Sequence, residues 1–318
     1  MTANSDDSRL RLTILGGYLG SGKTTWLRHQ LFAGTFPGAH ILVNEAALTP
    51  VDDTLLAAQA ASMTMLAGGC ACCVGQADLI AALRALCDTR SRQSADMRGT
   101  NQIVLETSGL ADPAAILAAF QDDGVLVHHI RVAEIVVLVD ALHAVQQLQS
   151  EHLSRSQIEA ADRIILTKVD AVTDPTLAAV MATVKQLNPA AQIDAAAKGL
   201  PHALSNLPDA TAYSLPLLSN GTDPILPTKI DIPEDVDWAT FSVWLSALLY
   251  ARGDDLVRVK GVFETPAGPL LLQAVRKSVQ PPELLPAAEQ DRRNQIVFIG
   301  RGYESEDLRR SLAYFTRN

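Results

Sequence analysis

The chain has 318 residues, a formal net charge of −9 and four cysteines. Hydrophobic residues make up 48% and charged residues 19%, an ordinary balance for a globular protein with a substantial core. The acidic charge argues against a nucleic-acid surface, and no apolar run approaches the roughly 20 residues that span a bilayer. Because the polar amino terminus lacks a secretory pattern, we expect a cytoplasmic protein with no nucleic-acid or membrane partner.

Short aliphatic and β-branched runs alternate with amphipathic helical stretches up to about residue 195. Strands are predicted at residues 10–15, 40–43, 63–66, 102–105, 135–139 and 163–166, and a helix at 78–87. Alternation of this kind predicts an α/β fold, with a mainly parallel sheet and crossover helices.

The Gly- and Pro-rich stretch at residues 219–233 interrupts this alternation and indicates a linker. Beyond it the sequence predicts a helix at 238–250, strands at 256–263, 269–276 and 295–299, and a helix at 306–315. Because these strands follow one another without crossover helices, they predict a small α+β domain. The predicted boundaries are a first domain at 1–220, a linker at 221–233 and a carboxy-terminal domain at 234–318.

The strand at residues 10–15 runs directly into GGYLGSGKTT, which satisfies the P-loop pattern GxxxxGK[ST] and precedes an apolar helix face. Glycines let successive backbone N–H groups converge on phosphate oxygens. Lys23 is predicted to reach the β- and γ-phosphates, and the Thr24 hydroxyl to join the Mg²⁺ shell. The nucleotide-binding residues predicted in this loop are Gly17, Gly20, Ser21, Gly22, Lys23, Thr24 and Thr25.

A second element, Thr167-Lys168-Val169-Asp170, follows the strand at residues 163–166 and is a variant of the NKxD motif of GTPases. A carboxylate in its last position accepts hydrogen bonds from both N1–H and the exocyclic amine of guanine, whereas adenine would leave it poorly paired. Thr167, Lys168 and Asp170 are therefore predicted to bind the base, and the nucleotide is predicted to be GTP.

The strand at residues 102–105 leads into Glu106-Thr107-Ser108-Gly109, a Walker-B and switch-II arrangement with Glu in place of the usual Asp. Glu106 is predicted to hold Mg²⁺, and the N–H of Gly109 to sense the γ-phosphate. With Lys23 these two are the predicted catalytic residues. Because Leu110 rather than Gln follows, no side chain is placed to orient water, and slow intrinsic hydrolysis of GTP to GDP and phosphate is expected.

Three of the four cysteines are crowded into Gly68-Gly69-Cys70-Ala71-Cys72-Cys73, which indicates a reducing compartment. Thiolates select soft or borderline metals, and an incomplete tetrahedral set suits a carrier that must release its metal. Cys70, Cys72 and Cys73 are predicted to bind Zn²⁺ or Co²⁺, with buried small side chains or a redox pair as alternatives. Cys87 lies on the apolar stripe of the following helix and is predicted to be core.

Seven segments occur in one order: GGYLGSGKTT, GGCACC, ETSGLADP, VLVDA, ADRIILTKVD, RVKG and VFIG. The series resembles the CobW-type P-loop GTPases, a metallochaperone family related to the urease- and hydrogenase-maturation GTPases. The resemblance runs from about residue 12 to about residue 315. It implies a GTP-dependent carrier or insertase of Zn²⁺ or Co²⁺, with GTP and Mg²⁺ as cofactors and a client metalloprotein or cofactor-synthesis protein as partner.

The switch-I segment of that family reads roughly NEFGExGID, and residues 44–52 match it here. The resemblance implies that Asp52 contacts Mg²⁺. Glu45 is predicted to add a carboxylate to, or remove it from, the thiolate set as the nucleotide changes, with a capping or surface acid as the alternative. Ala46-Ala47-Leu48 replaces the Phe-Gly-Glu centre, and Leu48 cannot act as the metal ligand that the second Glu can.

The leading functional hypothesis is a metallochaperone that binds metal on the cysteine loop, docks on a client, hydrolyses GTP and releases the metal. An alternative is a nucleotide-gated, metal-sensing regulator or scaffold that transfers nothing. A small-molecule kinase or ATPase is disfavoured by TKVD and the cysteine loop. The metal, the client, the fourth metal ligand and a nucleotide-dependent homodimer are left open.

Overall fold

The computed structural model describes residues 9–43, 62–65, 75–93, 101–205, 207–216, 226–253, 255–275, 277–279, 282–284, 294–300 and 302–316. These residues form two compact units, one within 1–185 and 191–216, the other within 186–190 and 217–318. The predictions for Glu45, Asp52, Cys70, Cys72 and Cys73 fall outside the described ranges.

The first unit is built on an eight-stranded sheet in the order β3-β2-β4-β1-β5-β6-β7-β8. Its strands are β1 (Leu10–Gly17), β2 (His40–Val43), β3 (Ser62–Met65), β4 (Gln102–Glu106), β5 (Ile130–Asp140), β6 (Arg163–Thr167), β7 (Gln192–Ala197) and β8 (Leu200–His202). Strands β1 to β7 are mutually parallel, and β8 runs antiparallel to β7. The predicted α/β fold with a mainly parallel sheet is confirmed.

Helices cover this sheet because its strands are apolar on both faces, as parallel strands buried from two sides must be. In β1, Leu12, Ile14 and Leu15 are each at most 1% exposed. The helices of this unit are α1 (Lys23–Phe32), α2 (Gly75–Arg92), α3 (Pro113–Gln121), α4 (Gly124–His129), α5 (Ala144–Ser150), α6 (His152–Ala160) and α7 (Asp174–Leu187), with a 3-10 turn at Val169–Ala171. Among the helices that the structure describes, none is both long and apolar enough to cross a membrane.

The second unit is a small antiparallel sheet with two helices, as the predicted α+β domain requires. Its main strand order is β12-β11-β10-β14-β9, and β13 pairs with β11. The elements are β9 (Leu226–Asp231), α8 (Trp238–Arg252), β10 (Leu256–Thr265), β11 (Gly268–Val275), β12 (Ser278–Val279), β13 (Glu283–Leu284), β14 (Gln295–Gly300) and α9 (Ser305–Thr316). Phe241, Trp244, Phe263 and Phe298 form the centre of its core, each at most 2% exposed.

Strand β9 lies inside the segment that the sequence assigns to a linker, residues 221–233. Its side chains alternate as a half-buried strand does: Thr228 and Ile230 are buried, and Lys229 and Asp231 are exposed. Pro227 is compatible with the strand because β9 is at the edge of the sheet. The Gly and Pro content of this segment predicted a linker throughout. Residues 226–231 form a strand instead, because they pair with β14.

Candidate nucleotide site

The predicted nucleotide motifs meet on the side of the first sheet where its parallel strands have their carboxyl ends. Parallel strands bring their carboxyl ends together, and the register pairs Leu15 with Glu106 and Asp140 with Thr167. The P-loop leaves β1 on this side, between the ends of β4 and β5. This side of the sheet therefore carries four segments that are far apart in sequence: the P-loop and the carboxyl ends of β4, β5 and β6.

The P-loop has the open, left-handed backbone that a phosphate cradle needs. Gly20 and Gly22 have φ of 74° and 87°, and a Cβ added at either would meet nothing within 4 Å. Gly17 is confined instead, because an added Cβ would lie 2.5 Å from the Leu138 carbonyl oxygen. The Ser21 hydroxyl is buried, and the described part of the chain gives it no hydrogen-bond partner. An oxyanion seated in this cradle would meet that hydroxyl and the loop amides.

Lys23 lies within this cradle rather than in solvent. It is 6% exposed, and its Nζ donates to the Gly17 carbonyl oxygen at 3.0 Å. An ammonium held inside a loop of backbone N–H groups is placed to donate a charge-assisted hydrogen bond to a phosphate oxygen. The location of Lys23 therefore fits the role predicted for it.

The two described residues predicted to hold Mg²⁺ are in direct contact. The Thr24 hydroxyl donates to Oε1 of Glu106 at 2.5 Å, and Glu106 is fully buried at the end of β4. A hydroxyl beside a carboxylate supplies the hard oxygen ligands that Mg²⁺ takes in phosphoryl-transfer sites. The pair fits the ion, whereas the predicted contribution of Asp52 lies outside the described residues.

The segment after Glu106 packs closely on the P-loop. A Cβ at Gly109 would lie 2.8 Å from both the Cα and the N of Leu19, so only glycine permits this approach. From α6, the buried Gln157 amide donates to the carbonyls of Ala111 at 2.8 Å and Gly109 at 3.4 Å. The backbone predicted to sense the γ-phosphate is thereby fixed from two sides.

The TKxD element is tied to the P-loop by its threonine. The Thr167 hydroxyl donates to the Ser21 carbonyl oxygen at 2.8 Å, joining the phosphate loop to the end of β6. Lys168 has a left-handed backbone with φ of 53°, a conformation that costs a non-glycine residue about 1–3 kcal/mol. Asp170 follows in the 3-10 turn with an exposed side chain, accessible to a base.

Asp140 adds a buried carboxylate to this element that the sequence did not assign to the site. It is 2% exposed and receives Lys168 Nζ at 2.7 Å and His143 Nδ1 at 2.8 Å, both on Oδ2. Burial raises the pKa of Asp140, but hydrogen bonds from Lys168 and His143 outweigh it and hold that pKa below its ordinary value. The group is therefore a carboxylate at neutral pH.

Of the four cysteines, only Cys87 lies within the residues that the structure describes. Cys87 is 3% exposed on α2, as predicted for a core residue, and burial raises its pKa to about 11. No cluster of three or more potential metal ligands occurs within the described ranges, and residues 70–73 lie outside them. Helix α2 begins at Gly75, two residues after that cysteine segment.

Comparison with known proteins places the chain in one family along most of its length. The nucleotide-binding domain of CobW/HypB/UreG matches residues 11–194, and the C-terminal domain of the cobalamin synthesis protein cobW matches residues 228–316. The zinc chaperone YjiA of Escherichia coli is 27% identical over 317 residues, 96% of this chain and 98% of that protein. The zinc chaperone CobW of Pseudomonas aeruginosa is 28% identical, over 85% of this chain and 81% of that protein.

A solved structure shares the fold. The crystal structure of Zn(II)-bound YjiA GTPase from E. coli superposes with a TM-score of 0.63 at 23% identity, covering 96% of this chain and 99% of that one. The family match covers more than half of the 318 residues, and the P-loop and TKxD element lie inside it. The chain therefore belongs to the CobW/HypB/UreG family and is a P-loop GTPase whose cofactors are GTP and Mg²⁺.

Proposed function

We propose that this GTPase is a metallochaperone that carries Zn²⁺, or Co²⁺, on Cys70, Cys72 and Cys73 and delivers it to a client metalloprotein or cofactor-synthesis protein. The relatives named zinc chaperones support a metal cargo, and the zinc-regulated GTPase metalloprotein activator 1 of Schizosaccharomyces pombe, 28% identical over 66% of this chain and 51% of that protein, supports a protein client.

The observation that carries the nucleotide half of this proposal is the contact between Thr24 and Glu106. It joins the helix that opens after the P-loop to the strand that enters switch II, through oxygens suited to Mg²⁺. When bound, Mg²⁺ would neutralise charge that develops on the β- and γ-phosphates. Lys23 adds positive charge beside the same phosphates, and the P-loop amides orient them.

Switch II would report the γ-phosphate through its backbone. The Gly109 N–H is the proposed sensor, and the contact with Leu19 together with the Gln157 hydrogen bonds limits where that N–H can lie. No glutamine follows Gly109, so water is not oriented by a side chain of that type and intrinsic turnover is expected to be slow.

The metal half of the proposal rests on ligand chemistry and on position in the chain. The cysteine segment lies between β3 and α2, and β3 belongs to the sheet whose edge carries the P-loop. Thiolates bind Zn²⁺ tightly, and Glu45 in the switch-I segment is the proposed additional ligand in one nucleotide state. Asp52 is the proposed switch-I contact to Mg²⁺.

Metal release is the test of carriage. The reduced protein is loaded with one equivalent of Zn²⁺ and GTP–Mg²⁺, and transfer to a colorimetric zinc chelator is followed. We expect release to track GTP hydrolysis and to stay slow with a non-hydrolysable GTP analogue. Lys23→Ala should lose most GTP binding and therefore the nucleotide dependence of release. Equal release rates with GTP and its analogue would favour a regulator or scaffold that senses metal without transferring it.

A nucleotide-dependent homodimer is the proposed assembly of the carrier. Light scattering after size exclusion, with GTP–Mg²⁺ and with GDP, measures it directly. A mass equal to one chain in both states would rule out the homodimer and would not bear on metal carriage.

A further inference from the structure

The cluster around Asp140 has no role in the proposed function. It lies at the ends of β5 and β6, where Asp140 pairs in register with Thr167 of the TKxD element. The carboxylate is 2% exposed, whereas Lys168 and His143 keep 40% and 50% of their side chains exposed. A buried carboxylate is therefore bonded to two partly exposed side chains, one of which belongs to the TKxD element.

Both oxygens of Asp140 are engaged by the protein. Oδ1 accepts from the Leu142 N–H at 2.9 Å, and Oδ2 accepts from Lys168 Nζ and His143 Nδ1 at 2.7 and 2.8 Å. A carboxylate saturated in this way is poorly placed to bind a nucleotide itself. Its effect must pass through the residues that it holds.

Lys168 is the residue whose position most depends on that hold. Its left-handed backbone, at φ of 53°, is unfavourable for a side chain with a Cβ and persists only where the surroundings impose it. The ion pair with Asp140 fixes the far end of the side chain, and β6 fixes the near end. The alkyl stem between them is then held in one place and can cover an apolar base surface.

Asp170 depends on the same turn. Its carboxylate is exposed, and within the described part of the chain no hydrogen bond or ion pair holds that side chain. Its placement comes from the backbone, where the Ala171 N–H donates to the Lys168 carbonyl at 3.0 Å. A shift of Lys168 out of the left-handed region would therefore move the group proposed to read guanine.

We propose that Asp140 and His143 are positioning residues for guanine recognition: through Lys168 they hold the turn that aims Asp170 at the base. The proposal rests on the proposed role of Lys168 and Asp170 in binding GTP. Base specificity would then depend on the ion pair between the buried Asp140 carboxylate and the half-exposed Lys168, as well as on the residue that contacts the base.

Asp140→Asn is the sharpest variant, because it keeps the shape of the side chain and removes the charge that pairs with Lys168. Asp123→Asn is the matched control: Asp123 is also buried, accepts from Arg84 at 2.7 Å and caps the amino terminus of α4, away from the TKxD element. Both variants should lose stability to urea, since in each a buried carboxylate loses its ion pair with a half-exposed cation.

Affinities for GTP and ITP separate the two variants. ITP lacks the 2-amino group that a correctly placed Asp170 reads. We expect Asp140→Asn to raise the KM and Kd for GTP about tenfold, equivalent to about 1.4 kcal/mol, with smaller loss for ITP and kcat within about twofold of the wild type. Asp123→Asn should keep the wild-type ratio of GTP to ITP affinity. His143→Ala, which removes an exposed partner only, should give an intermediate ratio.

The outcomes are distinct. A wild-type ratio of GTP to ITP affinity in folded Asp140→Asn and in His143→Ala would overturn this inference. A wild-type protein that binds GTP and ITP equally would instead overturn the base site itself, and with it the proposed role of Asp170. If Asp140→Asn does not fold, an unchanged ratio in His143→Ala decides against the inference.

Discussion

Asp170 is the residue on which guanine selection is proposed to depend. Replacement by Asn puts a donor where N1–H and the exocyclic amine of guanine need an acceptor, so Asp170→Asn should weaken GTP binding roughly 10-fold to 100-fold. Xanthine nucleotides carry a carbonyl acceptor where guanine has its exocyclic amine, so their affinity relative to that of GTP should rise. Equilibrium binding of GTP and XTP measures the change, and an unaltered preference for guanine would mean that another residue reads the base.

Cys87 differs chemically from what is expected of the three clustered cysteines. Because burial raises its pKa to about 11, almost none of it is thiolate at neutral pH. Brief iodoacetamide treatment of the native, metal-free protein should leave Cys87 unmodified and label Cys70, Cys72 and Cys73, with Zn²⁺ protecting the latter set. Peptide mass spectrometry reads all four sites, and the urea-denatured protein, in which all four should react, is the control.

Single residues also show what a sequence can predict about such a site. Lys23, Thr24 and the P-loop glycines follow from one contiguous pattern, and the structure brings Thr24 and Glu106 together although 82 positions separate them. Asp140 belongs to the VLVDA segment, but its proposed positioning role depends on Lys168, which is 28 positions away. Such a pairing is created by strand register, and local sequence carries no sign of it.

Helix α6 holds the segment after Glu106 through one side chain. Gln157 is 1% exposed and bonds the carbonyls of Gly109 and Ala111. Gln157→Leu should lower the free energy of unfolding by about 1–3 kcal/mol because two buried carbonyls lose a donor. It should also reduce kcat more than it raises KM, since the Gly109 N–H, the proposed γ-phosphate sensor, is less well fixed.

The control for that variant is Gln146→Leu, an exposed position on α5. Urea unfolding and steady-state GTP hydrolysis on both variants separate the local effect from a general one. Equal kcat values for Gln157→Leu and Gln146→Leu would contradict the role given to the Gln157 amide.

Elements were predictable from sequence where their apolar pattern is strong. The six predicted strands of the first sheet are found, with β1, β5 and β6 rich in Ile, Leu and Val. Strand β7, QIDAAA, was missed because alanine has little strand preference, and β8 is only three residues long. Strand β9 was missed for a different reason: its proline is tolerated only because tertiary structure puts it at a sheet edge.

Two buried carboxylates predict that the folded protein loses stability in acid. Burial raises the pKa of Asp140 and Asp123, but hydrogen bonds, chiefly from Lys168 and Arg84, outweigh it and leave each pKa below its ordinary value. Each then contributes stability above the unfolded-state pKa of about 3.9, and that contribution disappears as pH falls through the lower folded-state pKa.

Urea unfolding of the wild type, Asp140→Asn and Asp123→Asn across the acid range tests this. The wild type should lose stability steeply below about pH 4, and each variant should show a shallower decline, because one linked carboxylate is gone. A variant whose stability follows the same pH profile as the wild type would show that the replaced carboxylate keeps an ordinary pKa in the folded protein.

We expect the GTP site and the proposed metal site to be thermodynamically linked, so that each ligand changes the affinity for the other. The most direct measurement is the Zn²⁺ affinity of the reduced protein, by chelator competition, with GTP–Mg²⁺ and with GDP. Linkage is reciprocal and typically about 1–3 kcal/mol, or roughly 5–150-fold. We expect Zn²⁺ to bind at least several-fold more tightly with GTP–Mg²⁺ than with GDP, and Zn²⁺ to tighten GTP binding to the same degree. Both effects should be lost when Cys72 and Cys73 are replaced by Ser. Equal Zn²⁺ affinities in the two nucleotide states would contradict this linkage.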